Sequence, residues 1–135
     1  MSEGTINVWR SRQLDSRVFM ALFQAAKHRA NLGEFTVGDA IKVAPYYTTD
    51  RGLLQDVFDA ADSVLPKPLV ISRYRDNENG GWWVYGGETI PLYGSGHVPQ
   101  SIIQASHEYL AVALALAIEK FQDSQRVMVP GAQAP

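Results

Sequence analysis

The side chains in this chain that could do chemistry are few. His28, His97 and His107 are the three histidines, and no two stand at the spacing of a metal-ligand pair. His107 beside Glu108 makes a single dyad. Gly94-Ser95-Gly96 lies ahead of Ser101, where a helix start could hold an anion. It lacks the lysine and spacing of a phosphate loop and the flanks of a nucleophile elbow, and reads better as a flexible joint. No two carboxylates are placed for paired acid–base work. The absence of cysteine excludes disulfides, zinc–thiolate sites and thiol catalysis. The expectation is a protein that is not an enzyme and needs no cofactor or metal.

What remains is cationic and aromatic. Arg73 and Arg75 lie two apart in a strand-like run, so their side chains share one face, with Lys67 near the strand entrance. They could grip phosphates with Asn77 and Asn79, or pair with Asp76 and Glu78 in the same tip. Trp82 and Trp83 are adjacent, so one should point inward and one outward. The N-terminal arm carries Trp9, Arg10 and Arg12. It could enter a minor groove or fold over a partner subunit with Trp9 as anchor, and the second is favoured.

Several elements must position these groups. A first helix is expected from Asp15, which would cap it, with Leu14 and Phe19 as a hydrophobic staple. Val18, Phe19, Leu22, Phe23 and Ala26 give its stripe, and Lys27, His28 and Arg29 its last turn. A short second helix is expected after Thr36, with Val37, Ala40, Ile41 and Ala44 inward and Pro45 as its stop. A third follows from Asp50, with Leu53, Leu54, Val57, Phe58, Ala61 and Leu65 as its stripe and Pro66 and Pro68 beyond. Leu69–Arg75 and Trp82–Tyr85 then read as strands around a tip longer than the tight two-residue kind. Ser101 and Gln104 form a capping box for a long helix to about Gln122, free of polar residues from Tyr109 to Ile118. Such a helix must be buried on all sides, and a second copy of the chain is one way to cover it.

Three helices and a hairpin in this order, from Asp15 to about Tyr85, resemble the winged-helix superfamily by pattern and order. The resemblance implies an α+β fold: three helices plus a β-hairpin wing, with an additional long C-terminal helix for dimerisation. The divisions expected are an arm at 1–14, a winged-helix domain at 15–98, a dimerisation helix at 99–123 and a disordered tail at 124–135. The resemblance also makes the third helix the reading helix. Tyr46, Tyr47, Thr48, Thr49, Arg51 and Gln55 would face DNA, with Arg51 suited to guanine, Gln55 to adenine and the threonines to phosphates. Lys67, Arg73, Arg75, Asn77 and Asn79 would complete the contact. A dimer interface would use Trp9, Tyr109, Val112, Ala113 and Leu116.

Charge opposes a simple DNA reader. The chain carries a formal net charge of −2, with ten Lys/Arg against eight Asp/Glu in residues 1–75 and two against six thereafter. Asp56, Asp59 and Asp62 line the outer side of the third helix, and Arg51 is the single cation from Tyr46 to Leu65. DNA affinity rises with the number of phosphates neutralised, so one copy would bind weakly. Two functions stay open: a small dimeric regulator of transcription or replication that binds double-stranded DNA, or a docking module that binds or inhibits a larger nucleic-acid-processing machine without touching DNA. With 46% hydrophobic residues, no signal-like N-terminal segment and no apolar run long enough to span a bilayer, a cytoplasmic protein without a membrane partner is expected.

Overall fold

The computed structural model describes residues 7–76, 79–87, 89–91, 97–99 and 103–128. Helix α1 (Val8–Leu22) leads into a small sheet of β1 (Lys27–His28), β2 (Glu34–Val37) and β3 (Ala40–Val43). A 3₁₀ turn at Arg51–Leu53 runs directly into α2 (Leu54–Val64). A hairpin of β4 (Leu69–Asp76) and β5 (Asn79–Gly86) follows, then β6 (Thr89–Pro91) and β7 (His97–Pro99) as a two-stranded pair, β8 (Ile103–His107), and α3 (Leu110–Met128). The class is α+β, with antiparallel pairing throughout the described strands.

Helix α3 is the axis of the molecule. α1 and α2 pack on it from one side, and the β4–β5–β8 sheet packs on it through β5 and β8. Every residue from Val112 to Ile118 is buried as a result. The all-round apolar run is therefore satisfied within one chain, by two helices and a sheet face. Val112, Ala113 and Leu116, expected at a dimer interface, spend their surface on this core instead.

Helix α1 begins seven residues before Asp15. Asn7 caps it, its side-chain oxygen accepting the Arg10 amide hydrogen at 2.8 Å. The segment expected to be an arm is thus helical from Val8, and Asp15, expected as the cap, is a fully buried residue in mid-helix. Leu14 and Phe19 are core residues of the helix rather than a staple across its start. The helix ends at Leu22, and Lys27–His28, expected in its last turn, pair as a strand with Phe35 and Thr36.

The expected second helix is a hairpin. Val37 pairs with Ala40 across the two-residue loop Gly38-Asp39, and Gly38 takes φ +61°, a conformation that suits glycine in such a loop. Phe35 points into the core and is fully buried, while Ile41 and Val43 stay exposed on the edge strand. The chain consequently has no helix pair of the helix-turn-helix kind ahead of β4 among the described residues.

Helix α2 and the following hairpin form where expected. Asp50 caps the 3₁₀ turn by accepting from the Gly52 amide at 2.9 Å, and the Val57, Ala60, Ala61 stripe is buried. Pairing in β4–β5 runs from Leu69↔Gly86 to Asp76↔Asn79, so two residues join the strands and the expected longer tip is shortened. Alternation divides the tryptophans as anticipated. Trp82 packs against the core, whereas Trp83 lies on the outer face between Tyr74 and Tyr85, at 5.7 and 6.0 Å. Gly81 leaves room for the Tyr74 ring across the strand, and a Cβ there would collide with it.

The last helix is entered from a strand. β8 pairs with β5 over Trp82↔His107 to Gly86↔Ile103, placing Gln104 in a strand rather than in a capping box, and α3 starts at Leu110. Ser101 lies outside the described residues. The helix extends through Met128, past the expected end at Gln122 and into the segment expected to be a disordered tail.

Candidate functional site

The turn Tyr46–Asp50 is held rigidly against α1. The Asp15 carboxylate accepts from the Thr48 backbone amide at 2.8 Å, from the Thr48 hydroxyl at 2.9 Å and from the Arg12 guanidinium at 2.8 Å. Arg12 donates onward to the Ala44 carbonyl at 2.7 Å and lies 4.2 Å over the Tyr46 ring. The buried carboxylate thus has both a charge partner and hydrogen bonds, as burial requires. Gly33 sits against this arginine, and a Cβ at Gly33 would stand 2.6 Å from Arg12 Nη2. Tyr47 is buried beside the same carboxylate. Burial, reinforced by Asp56 and Asp15, pushes its phenol up to about 12.

This arrangement divides the expected reading residues. Tyr47 and Thr48 are inward and structural, so neither presents a side chain to a ligand outside. Tyr46, Thr49, Arg51 and Gln55 are exposed. Gln55 is engaged with Asp59 at 3.0 Å on the helix surface. Lys67 is paired with Asp62. The outer face of α2 therefore presents Asp56, Asp59 and Asp62, with one nearby cation already committed to them.

The hairpin supplies a second group. Arg73 is exposed, and its guanidinium lies 5.3 Å from the Trp82 ring centroid, a cation–π contact. Arg75 is in register with Gly80. Asn79 opens β5, and Asn77 lies outside the described residues.

The corner between β8 and α3 supplies a third group, which spacing in the sequence did not bring forward. His107 is only 2% exposed, and its Nδ1 accepts from the Tyr109 amide at 3.1 Å, which places any proton of the neutral ring on Nε2. The Tyr109 ring lies tilted beside it, with centroids 5.8 Å apart, and is 58% exposed. The signal was the alternation Ile103, Ala105, His107, which sets all three on the inner face of a strand.

These groups converge. A cleft of about 660 Å³ opens between the start of α2 and the start of α3, lined by Thr49, Arg51 and Leu54 on one side and Trp82, His107 and Tyr109 on the other. Half of the expected DNA-facing turn thus borders a cavity rather than a convex reading helix. A second groove of about 500 Å³ lies between α1 and α3 beside Met20, Leu32 and Phe121. No protein-family model matches this chain, and neither a curated protein nor a solved structure does. Function must be argued from the surface itself. Among the described residues no three His, Asp or Glu side chains are grouped to hold a metal ion, and no helix is long and apolar enough to cross a membrane.

Proposed function

We propose that this protein is a docking module that binds another protein, the kind of partner being a component of nucleic-acid-processing machinery. The observation that carries this is the outer face of α2. It presents Asp56 and Asp59 with Asp62 at its end, and Lys67 and Gln55 are tied to those acids. Such a face repels a phosphate backbone and attracts a basic protein surface. Exposed Tyr46, Tyr109 and Trp9 are the residue types that anchor protein interfaces. The kinship to winged helices is retained in this proposal for α2 and the β4–β5 hairpin alone. Of the residues expected to pair two copies, Trp9 and Tyr109 are the ones that keep exposed surface for such a contact.

A test uses a lysine-rich peptide as the cationic probe. Wild-type protein should bind it at low ionic strength and lose affinity steeply with salt, and a triple Asp56→Asn, Asp59→Asn, Asp62→Asn variant should lose most of that binding. Undiminished binding by the triple variant would refute the assignment of α2 as the docking face.

A second reading is favoured by one observation. Arg73 in cation–π contact with Trp82, whose ring lines the same cleft as Arg51, is an arrangement that could receive a nucleic-acid strand, with the arginines on phosphate and the indole on a base. Binding of random duplex or single-stranded DNA that disappears in Arg73→Ala would put this reading first.

A further inference from the structure

We infer that the cleft between the starts of α2 and α3 is a binding site for a flat, uncharged heteroaromatic molecule of nucleoside size. Its volume of about 660 Å³ lies within the range of small-molecule sites, roughly 300–1,000 Å³. One wall is formed by the sheet and the corner that follows it, where the Trp82 ring and the exposed Tyr109 ring flank the buried His107. Arg73, Trp82 and His107 are neighbours across three strands in register, and the Tyr109 ring lies tilted beside His107 with centroids 5.8 Å apart. Arg73 backs the indole at 5.3 Å, and the Tyr109 amide fixes the imidazole, so the wall is pre-set for stacking rather than assembled on binding. Leu54, Leu110 and Val112 add apolar lining from the two helices. Burying a planar ring here gains the stacking that sequence-tolerant base binders use.

The lip sets the polarity of the ligand. Asp50 and Glu108 offer carboxylate acceptors, Thr49 a hydroxyl and Arg51 a guanidinium donor. Arg51 and Glu108 have no ion-pair partner among the described residues. Two anions against one cation disfavour a phosphorylated ligand. They suit an uncharged ligand with several O–H and N–H donors for the carboxylates and an acceptor for Arg51, such as the ribose hydroxyls and the base edge of a nucleoside. Nothing in this inference depends on the acidic face of α2, so either can fail while the other stands.

The experiment is an NMR titration of the full chain with adenosine, guanosine, cytidine and uridine, following the Trp82 indole N–H, assigned from a Trp82→Leu variant. At least one nucleoside should give saturable shifts at Trp82, and adenosine 5′-monophosphate should bind no more tightly than adenosine. Ala111→Phe, which fills the cleft without removing a polar group, should weaken binding about tenfold or more, in line with stacking worth roughly 1–3 kcal/mol. Arg51→Ala, an exposed change that leaves the core intact, should weaken it about threefold, as for one exposed hydrogen bond. Should Ala111→Phe fail to fold by circular dichroism, Arg51→Ala and the Trp82 shifts decide. No saturable shift with any nucleoside at millimolar concentration overturns the site. Binding that survives Ala111→Phe in folded protein overturns its location, and a monophosphate bound tenfold more tightly than adenosine overturns the uncharged ligand.

Discussion

The two flanks of α3 treat charge in opposite ways. Where α1 crosses α3, Arg10 grips Glu119 with two hydrogen bonds of 2.7 and 2.6 Å, and Arg17 reaches Asp123 at 2.9 Å. Gln122 donates back to the Arg17 carbonyl at 3.1 Å, so this flank is knit together by polar groups matched to one another. At the start of α3 the same kinds of side chain, Arg51 and Glu108, border a cleft and match no charge among the described residues. The first flank is built for stability and the second leaves its polar groups available to something outside. Groups withheld from internal pairing are where binding is to be sought.

That contrast can be broken or sharpened by substitution. The largest effect should come from the carboxylate that joins the two flanks. Asp15→Ala leaves Arg12 buried without its partner and frees the Thr48 turn, so denaturant unfolding should show a loss of about 3–5 kcal/mol. Tyr47 comes next. Its folded pKa of about 12 exceeds the ordinary value of 10.0, so the buried neutral phenol contributes stability that is fully present below pH 10 and is lost as pH rises toward 12. Unfolding curves of wild type against Tyr47→Phe should diverge as pH rises through that window, by about 1–2 kcal/mol once solvent screening of the phenol is allowed for.

Glu119 gives a smaller effect of opposite sign in pH. Hydrogen bonds from Arg10 hold its carboxyl below the ordinary range, against the opposing pull of burial. Its contribution is therefore present above pH 4.5 and lost as pH falls through its depressed folded value. Glu119→Gln should cost about 1–2 kcal/mol at pH 7, and the gap should close in acid. The smallest effect belongs to the cleft. Arg51→Ala combined with Glu108→Gln should change stability by no more than about 0.5 kcal/mol, since both are exposed. A large loss there would show that the cleft charges are structural and erase the contrast between the flanks.

The same contrast explains which parts of the molecule were legible in the residues. Helix α2 and the β4–β5 hairpin were legible because each pattern fits one period: Leu54, Val57, Ala61 for a helix, and Val70, Ser72, Tyr74 against Leu69, Ile71, Arg73 for a strand. The β2–β3 hairpin is hidden in the sequence because Val37, Ala40, Ile41 and Ala44 fall at helical spacing and not at the alternation of a strand. What decided between them was Gly38-Asp39, a turn pair placed where a helix interior was expected. Asp15 has the type and place of a cap because it precedes an apolar run, yet Asn7, eight residues earlier, is an equally good cap, and tertiary burial of Asp15 chose it. The cleft was only half legible. Thr49 and Arg51 stood out by position, but Trp82 and His107 meet them through strand register across β5 and β8, a long-range pairing that local spacing does not encode.

The most direct test of the central claim, that this surface serves a protein partner rather than DNA, is fluorescence anisotropy of a random-sequence duplex titrated with wild-type protein at low ionic strength. A docking role with an acidic α2 predicts no saturable binding up to tens of micromolar protein, on the order of the weakest non-specific affinities of DNA-binding proteins. Saturable binding that weakens steeply with salt and vanishes in Arg73→Ala would contradict it.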